Sequence, residues 1–172
     1  MRVLLLAVLG VALFAPTAPA QTEDVRVHEI PHLTVTIPAS YEVGTHAYPI
    51  GGGQSRTSYY FFDSDSQKLV AISTRTGLSW WQRFRFHRGW GVSKQTPHAY
   101  HKIAPDALGL SPSVAELVGS AYFLNRPDAD GVGIQIRGCQ GDVCYSIGVG
   151  DPQAGGNATF QDLAPLLAGI EA

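Results

Sequence analysis

Between Gln67 and Pro105 the chain has no acidic residue, yet Lys68, Arg75, Arg83, Arg85, Arg88, Lys94 and Lys102 fall there, with His87, His98 and His101 among them. Such a block cannot neutralise itself locally. Its charge is met either by the acidic ends of the same chain or by an anionic partner. Charged residues as a whole are scarce, 15% against 45% apolar, a balance that argues against disorder and for a packed core. Cysteine is scarcer still, and 2 thiols are too few for a structural zinc site built on three or four of them. The pair also lacks the redox C-x-x-C spacing. Long apolar runs are missing after the first 20 residues, and nothing there approaches the roughly 20 residues of a membrane helix. No internal repeat, low-complexity tract or dividing linker is present.

Signatures of catalysis are also wanting. The G-x-S-x-G elbow is absent, and "GGGQS" does not supply it. Gly51-Gly52-Gly53 is followed by neither G-x-x-x-x-G-K-[ST] nor G-x-G-x-x-G spacing, so it is not a phosphate loop. Asp63-Ser64-Asp65 and Asp128-Ala129-Asp130-Gly131 resemble fragments of calcium loops but lack the bidentate glutamate at the twelfth place, and they read as turns. His98 and His101 would share one side of a helical turn, but no third ligand lies near, so exposed loop histidines are the better reading. No cofactor and no metal site is expected.

What is present begins with a leader. Arg2, the apolar run "VLLLAVLGVALF" and the small residues Ala18-Pro19-Ala20 form a secretory signal pattern over residues 1–20. Residues 21–172 then make one exported domain, periplasmic or extracellular, since about 150 residues support a single core. Without Arg2 that domain carries 11 Lys+Arg against 14 Asp+Glu, a net of −3, and its acids lie toward the two ends.

Leu33, Val35 and Ile37 alternate with Thr34 and Thr36 in a half-buried strand stopped by Pro38. The following "YEVGTHAYPIGGGQSR" reads as a short strand and an exposed glycine loop. Asp63-Ser64-Asp65-Ser66 sits between two β-rich runs and predicts a hairpin, with Tyr59, Tyr60, Phe61 and Phe62 covered on both faces. Ser111-Pro112 opens a helix that carries Val114, Leu117, Val118, Ala121 and Leu124 and ends before Pro127. A last helix, starting near Thr159 or Asp162, buries Leu163, Leu166, Leu167 and Ile170, with Pro165 acceptable only in its first turn.

"GIQIRGCQGDVCYSIGVG" predicts the clearest hairpin. If Cys139 faces Cys144, Ile136 faces Ile147, Ile134 faces Val149 and Arg137 faces Ser146, so both faces match and the cysteines lie together on the polar one. In an exported chain a structural disulfide is the simplest reading and a redox role the alternative. So small a loop gains only about 2 kcal/mol.

The remaining feature is "WWQRFRFHRGW". As a helix it gives Trp80, Trp81 and Phe84 one apolar stripe; as a strand it sends Phe84 and Phe86 one way and Arg83, Arg85 and His87 the other. The expectation is that the rings belong to the core, because large aromatic side chains dominate cores of this size. The competing reading makes Trp80, Trp81, Arg83, Arg85, His87, Arg88 and Trp90 a binding face, since arginine forks recognise carboxylate and phosphate and tryptophan supplies rigid contact area. Nucleic acid fits poorly, as the domain is net negative and has no binding motif. A membrane-surface helix also fits poorly, because the basic residues are not confined to one helical face.

The expected fold is a single α+β domain, a mostly antiparallel sheet covered by two or three helices. The strand closed by proline in "LTVTIPASYEV", the hairpins and the two later helices resemble small exported α/β sandwich domains of the PsbP-like architecture. That resemblance implies a fold and no function. The leading functional expectation is a non-enzymatic binding or accessory protein for an acidic protein or an anionic envelope polymer, in one version an inhibitor or immunity-type partner. The rivals are a small hydrolase with a dispersed Ser, His and Asp set, using His46, His98 or His101 as base, and a structural envelope protein without ligand.

Overall fold

A computed structural model describes residues 24–90, 100–125, 132–151 and 160–172. The leader at 1–20, Lys94, His98, the Asp128 to Asp130 turn and Thr159 therefore lie outside the described residues. In chain order the strands are β1 (Val25–Ile30), β2 (Leu33–Pro38), β3 (Glu42–Gly51), β4 (Gln54–Phe62) and β5 (Leu69–Thr76), then helix α1 (Trp80–His87). After it come β6 (Tyr100–Ile103), a 3-10 turn (Pro105–Leu108), α2 (Pro112–Leu117), β7 (Val118–Asn125), β8 (Val132–Gln140) and β9 (Val143–Asp151). The chain closes with α3 (Phe160–Leu163), a 3-10 turn (Ala164–Leu167) and β10 (Ile170–Glu171).

Seven strands form one antiparallel sheet in the order β3-β4-β5-β9-β8-β7-β6, and β1-β2-β10 form a smaller one. Side chains on a strand alternate between faces, so each row of the large sheet is settled by its register. Phe61, Val70, Ile72, Ile134, Ile136, Ile147 and Val149 lie on its inner face and are buried. Against them pack Leu33, Val35 and Ile37 of β2, Ile170 of β10, Val114 of α2 and Leu163 of α3 in a single core. Tyr145 of β9 reaches across the layers and donates its hydroxyl to the carbonyl of Pro31 at 2.8 Å. The mostly antiparallel α+β expectation holds, with more strand and less helix than the sequence suggests.

Four expectations need correction. The helix from Ser111 stops at Leu117, and Val118 onward is strand β7, paired with β6 and β8. Val118, Ala121 and Leu124 fit a helical period, but β-branched and aromatic residues around Gly119 suit a strand held on both sides by ladders. Strand β3, Glu42–Gly51, has ten residues where a short strand is expected, and Gly51, Gly52 and Gly53, all at positive φ, turn it into β4. Tyr59 to Phe62 are not covered on both faces, since Phe61 is fully buried while Tyr60 is 40% exposed. The last helix divides at Pro165 into a short α-turn and a 3-10 turn, and Ile170 joins a strand; Leu163, Leu167 and Ile170 are buried as expected.

The Cys139 hairpin has the predicted register throughout: Cys139 opposite Cys144, Ile136 opposite Ile147, Ile134 opposite Val149 and Arg137 opposite Ser146. The two cysteines are bonded. Their face is the outer one of the large sheet, and Cys144 is nonetheless fully buried there, because α1 lies over this region.

Candidate functional site: an outward aromatic helix

Helix α1 is specified at both ends. Ser79 caps its start, accepting from the amide of Gln82 while the Gln82 side chain accepts from the amide of Ser79, which is a capping box. Its end is a Schellman turn: Trp90 N–H donates to Arg85 O, Gly89 N–H donates to Phe86 O, and Gly89 has φ +68°. These signals decide between helix and strand in a segment whose apolar pattern fits both.

At about 100° per residue, Gln82, Arg83, Phe86 and His87 share one side of the helix, and Trp80, Trp81, Phe84, Arg85 and Arg88 share the other. The first side meets the sheet. Phe86 is buried, with the guanidinium of Arg137 5.0 Å from its ring centroid and that of Arg75 at 5.4 Å. Arg83 donates from Nη1 to the carbonyl of Gly141 at 2.8 Å, joining α1 to the β8–β9 turn. Two glycines let the helix come close. A Cβ on Gly119 would lie 2.3 Å from the His87 ring, and one on Gly89 would lie 2.5 Å from the Tyr122 hydroxyl. Burial pushes the His87 imidazole below its ordinary pKa, and Arg88 beside it adds to the shift.

The second side is free of the sheet, and it overturns the expectation that the rings are core. Trp80 is 70% exposed, Trp90 52%, Trp81 48% and Phe84 38%. The reason is geometric: a helix of eight residues on a flat sheet hides one narrow side, and here that side is taken by Phe86, His87 and Arg83. The outer rings pack on one another instead. Trp81 and Phe84 are stacked at 5.5 Å, Trp80 lies 5.9 Å from Trp81, and Trp90 stands edge-on to Trp81 at 5.9 Å. Arg85 lies over the Trp90 ring at 5.1 Å and Arg88 over Phe84 at 5.7 Å. Among the described residues, no carboxylate meets Arg83, Arg85 or Arg88; their partners are a carbonyl and two rings.

The structure thus gathers Trp80, Trp81, Arg85, Arg88 and Trp90 on one exposed surface and separates Arg83 and His87 from them. Of the histidines proposed for hydrolysis, the two within the described residues, His46 and His101, lie on strands at opposite edges of the large sheet. His46 is exposed on β3 against Tyr48, His101 is exposed on β6, and His98 is outside the described residues. An open groove lined by Ala107, Leu108, Gly109, Gln161, Ala164, Pro165 and Ala168 contains no histidine, carboxylate or serine. No three His, Cys, Asp or Glu side chains converge among the described residues.

Sequence reasoning missed the glycines under α1 and the role of Phe86. The signal for the second was the capping box Ser79-x-x-Gln82, which fixes the helical phase and with it the side on which each ring falls. Compared with family models, with curated proteins and with solved structures, the chain matches none of them.

Proposed function

We propose that the protein is an exported, non-enzymatic binding or accessory protein, and that the outer side of α1 takes an acidic protein or an anionic envelope polymer. The observation that carries this reading is the exposure of three large rings on one short helix and of a fourth, Trp90, just past its end, flanked by two arginines that meet no carboxylate among the described residues. Rings of this kind supply contact area at low entropic cost, and guanidinium groups set beside them select for negative charge. Export rests on the signal pattern at residues 1–20, and the disulfide is compatible with an oxidising compartment. Among the described residues no helix is long and apolar enough to cross a membrane. An inhibitor or immunity-type partner is the specific form that suits the size and the export signal. A sandwich of PsbP-like type is the fold-level part of the reading, supported by "LTVTIPASYEV" folding as strand, turn and strand and by helical turns covering the inner face.

The test is capture of partners from envelope extract by the mature chain and by a double variant, Arg85→Glu with Arg88→Glu. These two are chosen because the rings they lie over, Trp90 and Phe84, belong to the α1 segment and not to the sheet. The expected result is a partner set that salt releases and the variant fails to hold. Identical, salt-insensitive capture by both proteins would overturn the reading.

A further inference from the structure

On the outer face of the large sheet, beside α1, register places Arg56 of β4 directly opposite Arg75 of β5. Like charges directly opposite on neighbouring strands destabilise the pairing, and they call for a compensating group. No such group is present among the described residues. Arg56 donates from Nη2 to Ser73 Oγ at 3.0 Å and lies over the Tyr48 ring at 5.5 Å; Arg75 lies over the Phe86 ring. Ser73 Oγ is in turn hydrogen-bonded to Ser58 Oγ at 2.9 Å, which fixes the hydroxyl that holds Arg56. The Nε of Arg56 is shut from solvent and has no hydrogen-bond partner. Arg75 donates no hydrogen bond to any described residue. Both guanidinium groups are half-buried, and Arg75 is held below its ordinary pKa by burial first and by Arg56 second.

A structural role accounts for this badly. An arginine retained only for packing needs no second arginine opposite it, and a buried N–H without a partner costs stability. We propose that Arg56 and Arg75 together bind a dianionic phosphate group, with Ser73 positioning the Arg56 fork. Two adjacent positive charges are neutralised by a dianion and only half neutralised by a carboxylate. Two forks from neighbouring strands also offer the several parallel N–H donors that a phosphate's oxygens accept. An anion that drew the Arg56 fork toward Arg75 would give the stranded Nε its partner. This seat is on the sheet, apart from the outer side of α1, and it does not rest on the partner reading above.

The experiment is thermal unfolding of the mature chain at about pH 8, above the second ionisation of a phosphomonoester near about 6. Inorganic phosphate, glycerol phosphate, acetate and chloride are compared at matched ionic strength. Phosphate is expected to raise Tm by on the order of 5 °C at saturating concentration, with acetate giving less and chloride none. A gain with glycerol phosphate equal to or above that of the free ion assigns an ester ligand, and a gain with inorganic phosphate alone assigns the ion. Arg56→Gln and Arg75→Gln are each expected to lose the phosphate gain. In chloride they should unfold no lower than the native protein, because each relieves the like-charge pair. Arg26→Gln on β1 should keep the gain. Equal Tm in phosphate and chloride, or a phosphate gain that survives both glutamine variants, would overturn the proposal, as would a Tm in chloride lowered by each of them. A phosphate response intact in the Arg85→Glu, Arg88→Glu protein separates this site from the α1 surface.

Discussion

Trp90 stands edge-on to Trp81, with 5.9 Å between ring centroids and 82° between ring planes. Nine positions apart in sequence, the two meet because Gly89 turns the chain back over the end of α1 at φ +68°. The same glycine lies flat against Ser120 and Tyr122. A side chain there is wrong twice, once for the backbone and once for the space. Gly89→Ala is therefore expected to cost more than about 1 kcal/mol and to move Trp90 away from Trp81. Chemical unfolding read by tryptophan fluorescence checks both effects, and an unchanged midpoint with unchanged emission would count against the Schellman turn as the device that places Trp90.

The rings of α1 divide into those that hold it and those that face outward. Trp80→Ala and Trp81→Ala remove exposed side chains and are expected to shift stability by no more than about 0.5 kcal/mol. Phe86→Ala removes the buried ring between Arg75 and Arg137, and it is expected to cost about 3 kcal/mol. Urea midpoints of the three variants measure the contrast. Were the tryptophans core residues, the order would reverse.

That contrast shows how far the sequence could be read. The hairpin of Cys139 and Cys144 was legible to the residue, since facing the two cysteines sets the register and period-two alternation on both strands then matches every pair. The inner strand Leu33 to Pro38 was legible for the same reason. Helical spacing after Ser111 misled because Val118, Ala121 and Leu124 satisfy a period of 3.6 residues by accident, while the ladders that hold β7 come from β6 and β8, far along the chain. The exposure of the tryptophans was illegible because it depends on which side of α1 finds sheet beneath it. Arg56 carried no local signal, since it becomes notable only once Arg75 is seen opposite it.

The disulfide closes a hairpin that α1 also grips, through Arg83 Nη1 on the Gly141 carbonyl. Cys139→Ser with Cys144→Ser is expected to lower stability by about 2 kcal/mol while leaving the secondary structure intact. Far-ultraviolet circular dichroism and urea unfolding test the two parts. Loss of folded signal at room temperature in the double serine variant would show that the bridge holds more than its own turn.

Acid acts on the seat of α1 through His87. Burial, with Arg88 beside it, holds this imidazole below its ordinary pKa, so the fold favours the neutral ring. The resulting stability is present above the unfolded value of about 6.5 and is lost as pH falls below it toward the folded value. Arg88 on its own helix is the charged group that acts on the ring, and Gly119 of β7 lies against it. His87→Gln should flatten this acid limb in unfolding midpoints measured across the window, and an unchanged limb would remove His87 as its cause.

Alkali acts on the other side of the sheet. The Tyr145 hydroxyl donates to Pro31 O at 2.8 Å, linking β9 to the β1–β2 hairpin. Burial first, and the nearby charge of Asp142 second, push its pKa up to about 12. A phenol whose folded pKa lies above its unfolded value of about 10 contributes stability that is whole below that value. The contribution disappears as pH rises from there to about 12, because the phenolate can no longer donate and is poorly solvated where it sits. Tyr145→Phe removes the donor and leaves the Pro31 carbonyl without it, at a cost of about 1 kcal/mol near neutral pH. The same variant should lose this part of the alkaline decline, so the native and variant midpoints are expected to converge as pH approaches about 12. Parallel curves over that range would mean that the hydrogen bond between the two sheets contributes nothing that titrates with Tyr145.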